Sequence, residues 1–156
     1  MRLVVDKDDP RADDVGALLQ THLAFSRGVT PAEYAFALDV EELADPSVTF
    51  FSARRDGALM GVAALKRLDQ DTAEVKSMHT RGDERGRGVG RAILEHILDF
   101  ARSEGYLVVN LETGTTEEFA AARALYASSG FRPCAPFGRY EASPYNTFMT
   151  LRLDEA

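Results

Sequence analysis

The sequence lacks the cysteines that an internal disulfide needs and the long apolar run that a membrane-spanning helix needs. Cys134 is the only cysteine, so an internal disulfide is excluded and a reducing, cytoplasmic environment is expected. No apolar run approaches the roughly 20 residues that a membrane-spanning helix needs. The first residues, MRLVVDKDDP, turn acidic at once and lack the pattern of a signal peptide. We therefore expect a protein that does not associate with membranes.

An excess of positive charge is also missing. The chain carries 18 lysines and arginines against 25 aspartates and glutamates, a formal net charge of −7. This balance argues against binding to nucleic acid or to an anionic membrane surface. Because the chain has 156 residues, 45% of them hydrophobic, and no internal repeat or linker-like tract, residues 1–156 are expected to form one domain.

Glycine and arginine are concentrated in one stretch of this acidic chain. Residues 85–91 read RGRGVGR, and an amphipathic helical pattern follows directly. Glycine lets a backbone approach a ligand closely, and a helix N-terminus with nearby arginines suits phosphate. The glycine spacing matches neither a Walker A loop nor a Rossmann fingerprint. The stretch therefore predicts a pyrophosphate site, with a solvated surface turn as the alternative.

Hydrophobic periodicity predicts a mixed α/β sheet domain with the element order β-α-α-β-β-β-α-β-α-β-β. Acidic residues and a proline at 8–10 suggest the start of the first helix. Residues 48–54 and 58–68 are predicted to form a hairpin about Asp56-Gly57, with a bulge at the glycine inside the second strand. Residues 72–80 then add a third antiparallel strand.

A parallel crossover is expected to follow. The spacing predicts a helix over 89–103, and the apolar run over 106–111 is typical of a strand covered on both faces. Together with strand 72–80 these segments make a βαβ unit. Strict alternation along strand 72–80 would place Glu74, Met78 and Thr80 on one face of the sheet.

Three motifs in order resemble those of the GNAT N-acetyltransferases, which bind acetyl-coenzyme A. They are the strand end KSMHT at residues 76–80, the pattern Arg85-x-x-Gly88-x-Gly90, and the pattern Ala122-x-x-Leu125-Tyr126-x-x-x-Gly130-Phe131. The resemblance covers nearly the whole chain. It implies a single α/β domain with the mixed sheet of GNAT-type acyl-CoA N-acyltransferases, in which the central fourth and fifth strands splay apart.

The resemblance also implies where a co-substrate would lie. Acetyl-CoA would be the acyl donor, without a metal, its pantetheine arm along the end of the strand and its pyrophosphate at the glycine–arginine turn. The residues expected to bind it are Met78, His79, Thr80, Arg85, Gly86, Arg87, Gly88, Val89, Gly90 and Arg91. Phe119 departs from the family, since many members carry asparagine there. This departure predicts either a replacement contact or a more apolar end of the pocket.

Acetyl transfer to an amine requires a base, an oxyanion donor and an acid. Glu74 is the first candidate for the base, because the resemblance places it where histone-type members carry a catalytic glutamate. A structural pairing of Glu74 with Lys76 or Lys66 is the alternative. Glu112 is the second candidate base, and Tyr126 is the expected acid. The expected oxyanion donor is the backbone N–H of the methionine in KSMHT.

Candidate acceptor contacts are His22, Tyr34 and Glu112, with ordinary packing as the alternative for the first two. The run Pro136-Phe137-Gly138-x-Tyr140 resembles a bacterial branch described as indole-acetic-acid acetyltransferases, but fold does not fix substrate. We expect an N-acetyltransferase acting on a primary amine of a small molecule or peptide. The alternative is a non-catalytic acyl-CoA-binding sensor or interaction module. The fold also suggests a homodimer, although no residue points to one.

Overall fold

The computed structural model describes residues 3–20, 40–81, 88–138 and 140–153. The strands are β1 (Leu3–Lys7), β2 (Val48–Arg55), β3 (Ala58–Arg67), β4 (Thr72–Thr80), β5 (Val108–Gly114), β6 (Arg132–Pro133) and β7 (Asn146–Arg152). The helices are α1 (described over 13–20), α2 (Val40–Leu43), α3 (Val89–Ser103) and α4 (Ala120–Ser128), and a 3-10 turn at Glu117–Phe119 precedes α4.

The strands form one sheet in the order β1-β2-β3-β4-β5-β7-β6. Every neighbouring pair is antiparallel except β4 and β5, which run parallel. This arrangement confirms the predicted mixed α/β class and the crossover β4-α3-β5. Among the helices that the structure describes, none is both long and apolar enough to cross a membrane.

The β2–β3 hairpin shows how local sequence sets the register of the sheet. Asp56 and Gly57 at its turn have φ angles of 54° and 82°. Two consecutive positive φ angles give a turn whose twist matches that of the flanking strands, so the hairpin prediction is confirmed. The pairing then shifts by one residue between Ala53 and Arg54, which leaves Met60 as the extra residue of β3. The bulge predicted at Gly61 thus lies at the residue before it.

Two predicted boundaries were wrong. The first helix begins at residue 13, because the Asp9 side chain accepts a hydrogen bond from the Arg11 backbone at 2.8 Å and holds this segment in a turn. The strand predicted over 106–111 instead begins at Val108 and continues to Gly114, because its pairing with β7 extends that far.

Different clusters cover the two faces of the sheet. α3 packs on the first face through a stripe of buried residues at helical spacing, namely Val89, Ile93, Leu94, Ile97, Leu98 and Ala101. The second face is covered by α1 and α2. Their buried residues Val15, Leu18, Leu19 and Leu43 pack against the strand residues Phe50 of β2 and Val62 of β3. The α3 periodicity seen in the sequence is thus confirmed as a core stripe.

A bulge in β4 changes the face that its last residues occupy. Two residues of β4, Ser77 and Met78, oppose the single residue Ala63 of β3, and Ser77 has a φ of 56°. Because a bulge shifts the alternation beyond it, Met78 packs against the α3 cluster and Thr80 lies beside α3. Glu74 precedes the bulge and faces the other way. The predicted sharing of one face by Glu74, Met78 and Thr80 was therefore wrong.

Arg54 ties the segment between β1 and α1 to β2. Its guanidinium lies 2.9 Å from an Asp8 carboxylate oxygen and 2.6 Å from one of Asp14. A hydrogen bond from Arg54 lowers the pKa of Asp14. Burial raises the pKa of Asp8, but hydrogen bonds from Ser52, the Asp9 backbone and Arg54 outweigh it and leave that pKa below its usual 3.8.

We expect Arg54→Met to lower the free energy of unfolding by about 1 kcal/mol at pH 7, because two carboxylates lose their partner. Carboxyl groups with lowered pKa values stabilise the fold above their unfolded pKa and lose that effect as pH falls through the folded value. The difference from wild type should therefore shrink below about pH 4. Denaturant unfolding at pH 7 and pH 3 measures both effects.

Arg102→Met is the matched control. Arg102 pairs with Asp99 on the exposed surface of α3 at 3.3 Å, so its removal should change the unfolding free energy by less than about 0.5 kcal/mol. Equal effects of the two substitutions would contradict a special role for Arg54.

Candidate active site

The sheet opens between β4 and β5. Their parallel pairing covers only Thr72–Val75 against Val108–Leu111. Beyond that point both strands continue, β4 to Thr80 along β3 and β5 to Gly114 along β7. A wedge therefore forms at the carboxyl ends of two adjacent parallel strands, where ligands bind in open α/β sheets.

The N-terminus of α3 lies at this wedge. Gly88 caps the helix with a φ of 83°, and a Cβ built on it would meet nothing within 4 Å. Within the described chain no side chain caps this helix, so its first N–H groups are available to an anion. Gly90 packs closely against Leu125 of α4 and near Thr80 of β4, which brings α3, α4 and the strand end together.

The predicted co-substrate residues divide into three groups. Gly88, Val89 and Gly90 form the helix start, while Met78, His79 and Thr80 form the edge of the wedge on β4. Arg91 is exposed and donates a hydrogen bond to Ser128 Oγ at 3.0 Å, so it links α3 to the end of α4. The predicted sites at Arg85, Gly86, Arg87, His22 and Tyr34 lie outside the described residues.

Three polar side chains form a closed network on the face of β4 opposite α3. Lys76 Nζ lies 3.1 Å from Glu74 Oε2, and it donates to the Tyr140 hydroxyl at 2.5 Å. Tyr140 in turn donates to the same Glu74 oxygen at 2.6 Å. The Lys76 and Glu74 side chains are only 9% and 5% exposed. The sequence suggested Lys76 or Lys66 as a structural partner of Glu74, and the structure shows the pair with Lys76.

Glu112 stands across the wedge from this network. It follows the paired part of β5 and shares a sheet face with Asn110, the register partner of Glu74, because residues two apart on a strand point the same way. Burial raises the pKa of Glu112 to about 7, against the opposing effects of a hydrogen bond from Asn146 Nδ2 and the charge of Lys76. The Glu74 charge raises it further. A carboxyl group with this pKa exchanges its proton near neutral pH.

Tyr126 reaches the wedge from α4. It is 6% exposed, and its ring lies edge-on to Phe131 with the centroids 5.9 Å apart. Burial raises the pKa of its hydroxyl well above 10, and the charge of Glu112 raises it further. The phenol therefore keeps its proton at neutral pH. Tyr126 and Glu112 are thus close enough for the charge of one to affect the proton of the other.

Aromatic rings from β7 and from the segment before it lie on this face. Phe137, Tyr140 and Phe148 contact one another, with centroid distances between 5.3 and 5.7 Å. Phe148 is the register partner of Glu112. Sequence reasoning did not assign roles to Tyr140 or Asn146. Tyr140 appeared only within a motif used for the family resemblance, and no sequence signal marked Asn146.

Phe119, where many family members carry asparagine, packs against Gly114 at the end of β5. A Cβ on Gly114 would lie 2.2 Å from the Phe119 ring, so glycine at the end of β5 is required for the ring to pack there. Arg123 donates to the carbonyl oxygens of Gly114 and Thr116, both at 2.8 Å. This end of β5 is therefore closely packed, and both outcomes predicted for Phe119 stay predictions.

A structural metal site is not evident in the described ranges, since no group of three or more His, Cys, Asp or Glu side chains there could hold an ion.

Comparison with known proteins gives one consistent family. Residues 17–131 match the model described as the acetyltransferase (GNAT) family. An uncharacterized N-acetyltransferase of Bacillus subtilis, YsnE, is 40% identical over 94% of this chain and 97% of its own. An uncharacterized N-acetyltransferase of Escherichia coli, YedL, is 39% identical over 97% of this chain and 95% of its own.

Two further comparisons bear on the fold and on ligands. The IAA acetyltransferase of Azospirillum brasilense is 35% identical over 94% of this chain and 95% of its own. The structure of an aminoglycoside 6′-N-acetyltransferase in complex with coenzyme A superposes with a TM-score of 0.73 over 98% of both chains, at 12% identity. The second likeness shows a shared fold in a protein that holds coenzyme A.

The raised pKa of Glu112 predicts a pH-dependent stability. Relative to an unshifted carboxyl, its contribution to folding is fully present below its usual pKa of 4.5 and is lost as pH rises through about 7. Glu112→Gln removes the cost of burying the charge, so it should raise the unfolding free energy by about 1 kcal/mol or more at pH 8 and by less at pH 5. Denaturant unfolding at both pH values tests this. A larger gain at pH 5 would contradict the assignment.

Proposed function

Because the chain belongs to the acetyltransferase (GNAT) family, we propose that it is an acetyl-CoA-dependent N-acetyltransferase that acts on a primary amine of a small molecule or peptide. The observation that carries the proposal is the opening between β4 and β5 beside the uncapped start of α3, and it is supported by the charge effect of Glu112 on Tyr126. One domain over residues 1–156 would contain all of these parts.

The wedge fits the chemistry of a coenzyme A thioester. The start of α3 offers backbone N–H groups and open space at Gly88, which suit a pyrophosphate. The β4 bulge at Ser77 and Met78 interrupts the ladder with β3, so the Met78 N–H remains our candidate oxyanion donor. Bound acetyl-CoA would supply the thioester whose carbonyl carbon the amine attacks, with loss of the thiol.

Glu112 is the base that we propose. An acceptor amine arrives largely as an ammonium ion, because a lysine-like amine has a pKa of about 10.4. It must pass a proton to the protein before it can attack. A carboxyl group with a pKa of about 7 is suited to accept that proton near neutral pH. Glu74, the first candidate from the sequence, is instead engaged by both Lys76 and Tyr140.

Tyr126 is the acid that we propose. Its hydroxyl holds a proton at neutral pH and lies in a buried part of the wedge, where it can donate to a departing sulfur. Glu112 and Tyr126 can play opposite roles in proton transfer because their environments leave them with very different pKa values. The carboxyl group can lose or gain its proton near pH 7, whereas the phenol retains its own.

Titration calorimetry with acetyl-CoA, with coenzyme A and ATP as comparators, tests the co-substrate. We expect acetyl-CoA to bind the wild type with a Kd on the order of micromolar, and ATP to bind more weakly. Gly88→Glu should weaken acetyl-CoA binding by about tenfold or more relative to Gly88→Gln, because the two side chains match in size and differ in charge at the helix N-terminus. Equal affinities of the two variants would remove the phosphate assignment.

Acetyl transfer followed by thiol release tests the two catalytic roles. Tyr126→Phe and Glu112→Gln should each lower kcat by about 100-fold, with acetyl-CoA affinity little changed, because each removes one proton transfer. Tyr106→Phe, the same substitution at a buried tyrosine near the other end of β5, is the control and should retain full activity. Acetyl-CoA binding without turnover against any primary amine would favour the acyl-CoA-binding module instead.

A further inference from the structure

The network of Glu74, Lys76 and Tyr140 is built as a fixed unit. Lys76 donates to both partners, Tyr140 donates to Glu74, and Lys76 Nζ lies 5.1 Å from the centre of the Tyr140 ring. Each polar group therefore has its partner within the network. Removing one partner of a buried ion pair leaves the other charge uncompensated at a large cost, so the contacts of this network favour its intact arrangement.

The Glu74–Lys76 pair lies on the same sheet face as Glu112, because Glu74 is the register partner of Asn110 and Glu112 is two residues further along β5. The Glu74 carboxylate disfavours the ionised form of Glu112, whereas the Lys76 ammonium favours it. Within the described ranges, Asn146 and Phe148 from β7 also lie beside Glu112 and carry no charge. The Tyr126 hydroxyl from α4 is protonated at neutral pH and is close enough for the Glu112 charge to affect it. Arg123 on α4 is directed instead to the carbonyl oxygens of Gly114 and Thr116.

We propose that Lys76 and Tyr140 are positioning residues that hold Glu74 as a fixed carboxylate, and that the Glu74–Lys76 pair sets the proton affinity of Glu112. This inference rests on the proposed function, in which Glu112 is the base. It assigns Glu74 an electrostatic role in place of direct proton transfer. Tyr140 orients the Glu74 carboxylate, because its hydroxyl donates to the same Glu74 oxygen that accepts a hydrogen bond from Lys76.

The pH profile of kcat/KM tests the coupling, because the rate should rise as Glu112 loses its proton. Glu74→Gln removes a neighbouring negative charge, so the rising limb should move to lower pH by about one unit. Lys76→Met removes a positive charge, so the limb should move to higher pH by a similar amount. The double variant Glu74→Gln/Lys76→Met leaves no unpaired charge in the network, and its limb should lie between those of the single variants.

Tyr140→Phe separates orientation from charge. It retains both charges and the aromatic ring, so the rate should fall several-fold while the limb stays close to its wild-type position. A displacement as large as that of Lys76→Met would contradict an orienting role. Lys76→Arg keeps the charge and should restore the wild-type limb at least in part. Glu95→Gln, at an exposed glutamate on α3, is the control and should leave the profile unchanged.

Carbon-13 NMR of labelled glutamate carboxyl groups separates this inference from the proposed function. The Glu112 signal is identified by its loss in Glu112→Gln, and its midpoint is then followed in Glu74→Gln and in the double variant. A midpoint that moves with Glu74→Gln supports the coupling, even if Glu112→Gln were to retain full activity and so refute the proposed base. An unchanged Glu112 midpoint in folded Glu74→Gln would overturn the inference.

Discussion

The separation of β4 from β5 is the constraint on which the site depends. Two parallel strands that stay paired to their ends would close the sheet, and no opening would remain beside the start of α3. Here the pairing ends at Val75 and Leu111, while each strand continues along its other neighbour. The core beneath α3 can remain closely packed because it lies under the paired part of the strands.

The β4 bulge adds a second effect to this opening. Two residues, Ser77 and Met78, take the place of one, so the strand turns Met78 toward α3 while Glu74 and Lys76 remain on the opposite face. The backbone of the bulge thereby lies at the edge of the wedge. The charged side chains Glu74 and Lys76 lie on one face of β4, and the edge that we propose for the acyl donor is formed mostly by backbone and by the start of α3.

Electrostatics on the opposite face depends on burial. In water, two carboxylates and an ammonium group would influence one another weakly, because solvent screens their charges. Here the Glu74 and Lys76 side chains are nearly inaccessible, and Glu112 is half-buried beside Asn146 and Phe148. The exchange of protons near neutral pH at Glu112 is therefore a property of its surroundings and not of glutamate as a residue type.

Local sequence was sufficient for much of the fold. The helical stripe of α3, the Asp56-Gly57 turn and the element order follow from periodicity and turn chemistry, which act over a few residues. The motif ending at Gly130-Phe131 likewise indicated Tyr126 as the candidate acid, which stays a prediction.

Tertiary structure decided what depends on distant contacts. No glycine in the sequence marks the bulge at Ser77. The bulge places Met78 on the sheet face opposite to the one predicted. Tyr140 meets Glu74 across 66 positions of sequence, and Asn146 meets Glu112 across 34. Burial and proton affinity depend on such contacts, so the sequence by itself determined which residues could do the chemistry, and only the folded chain distinguished Glu112 from Glu74.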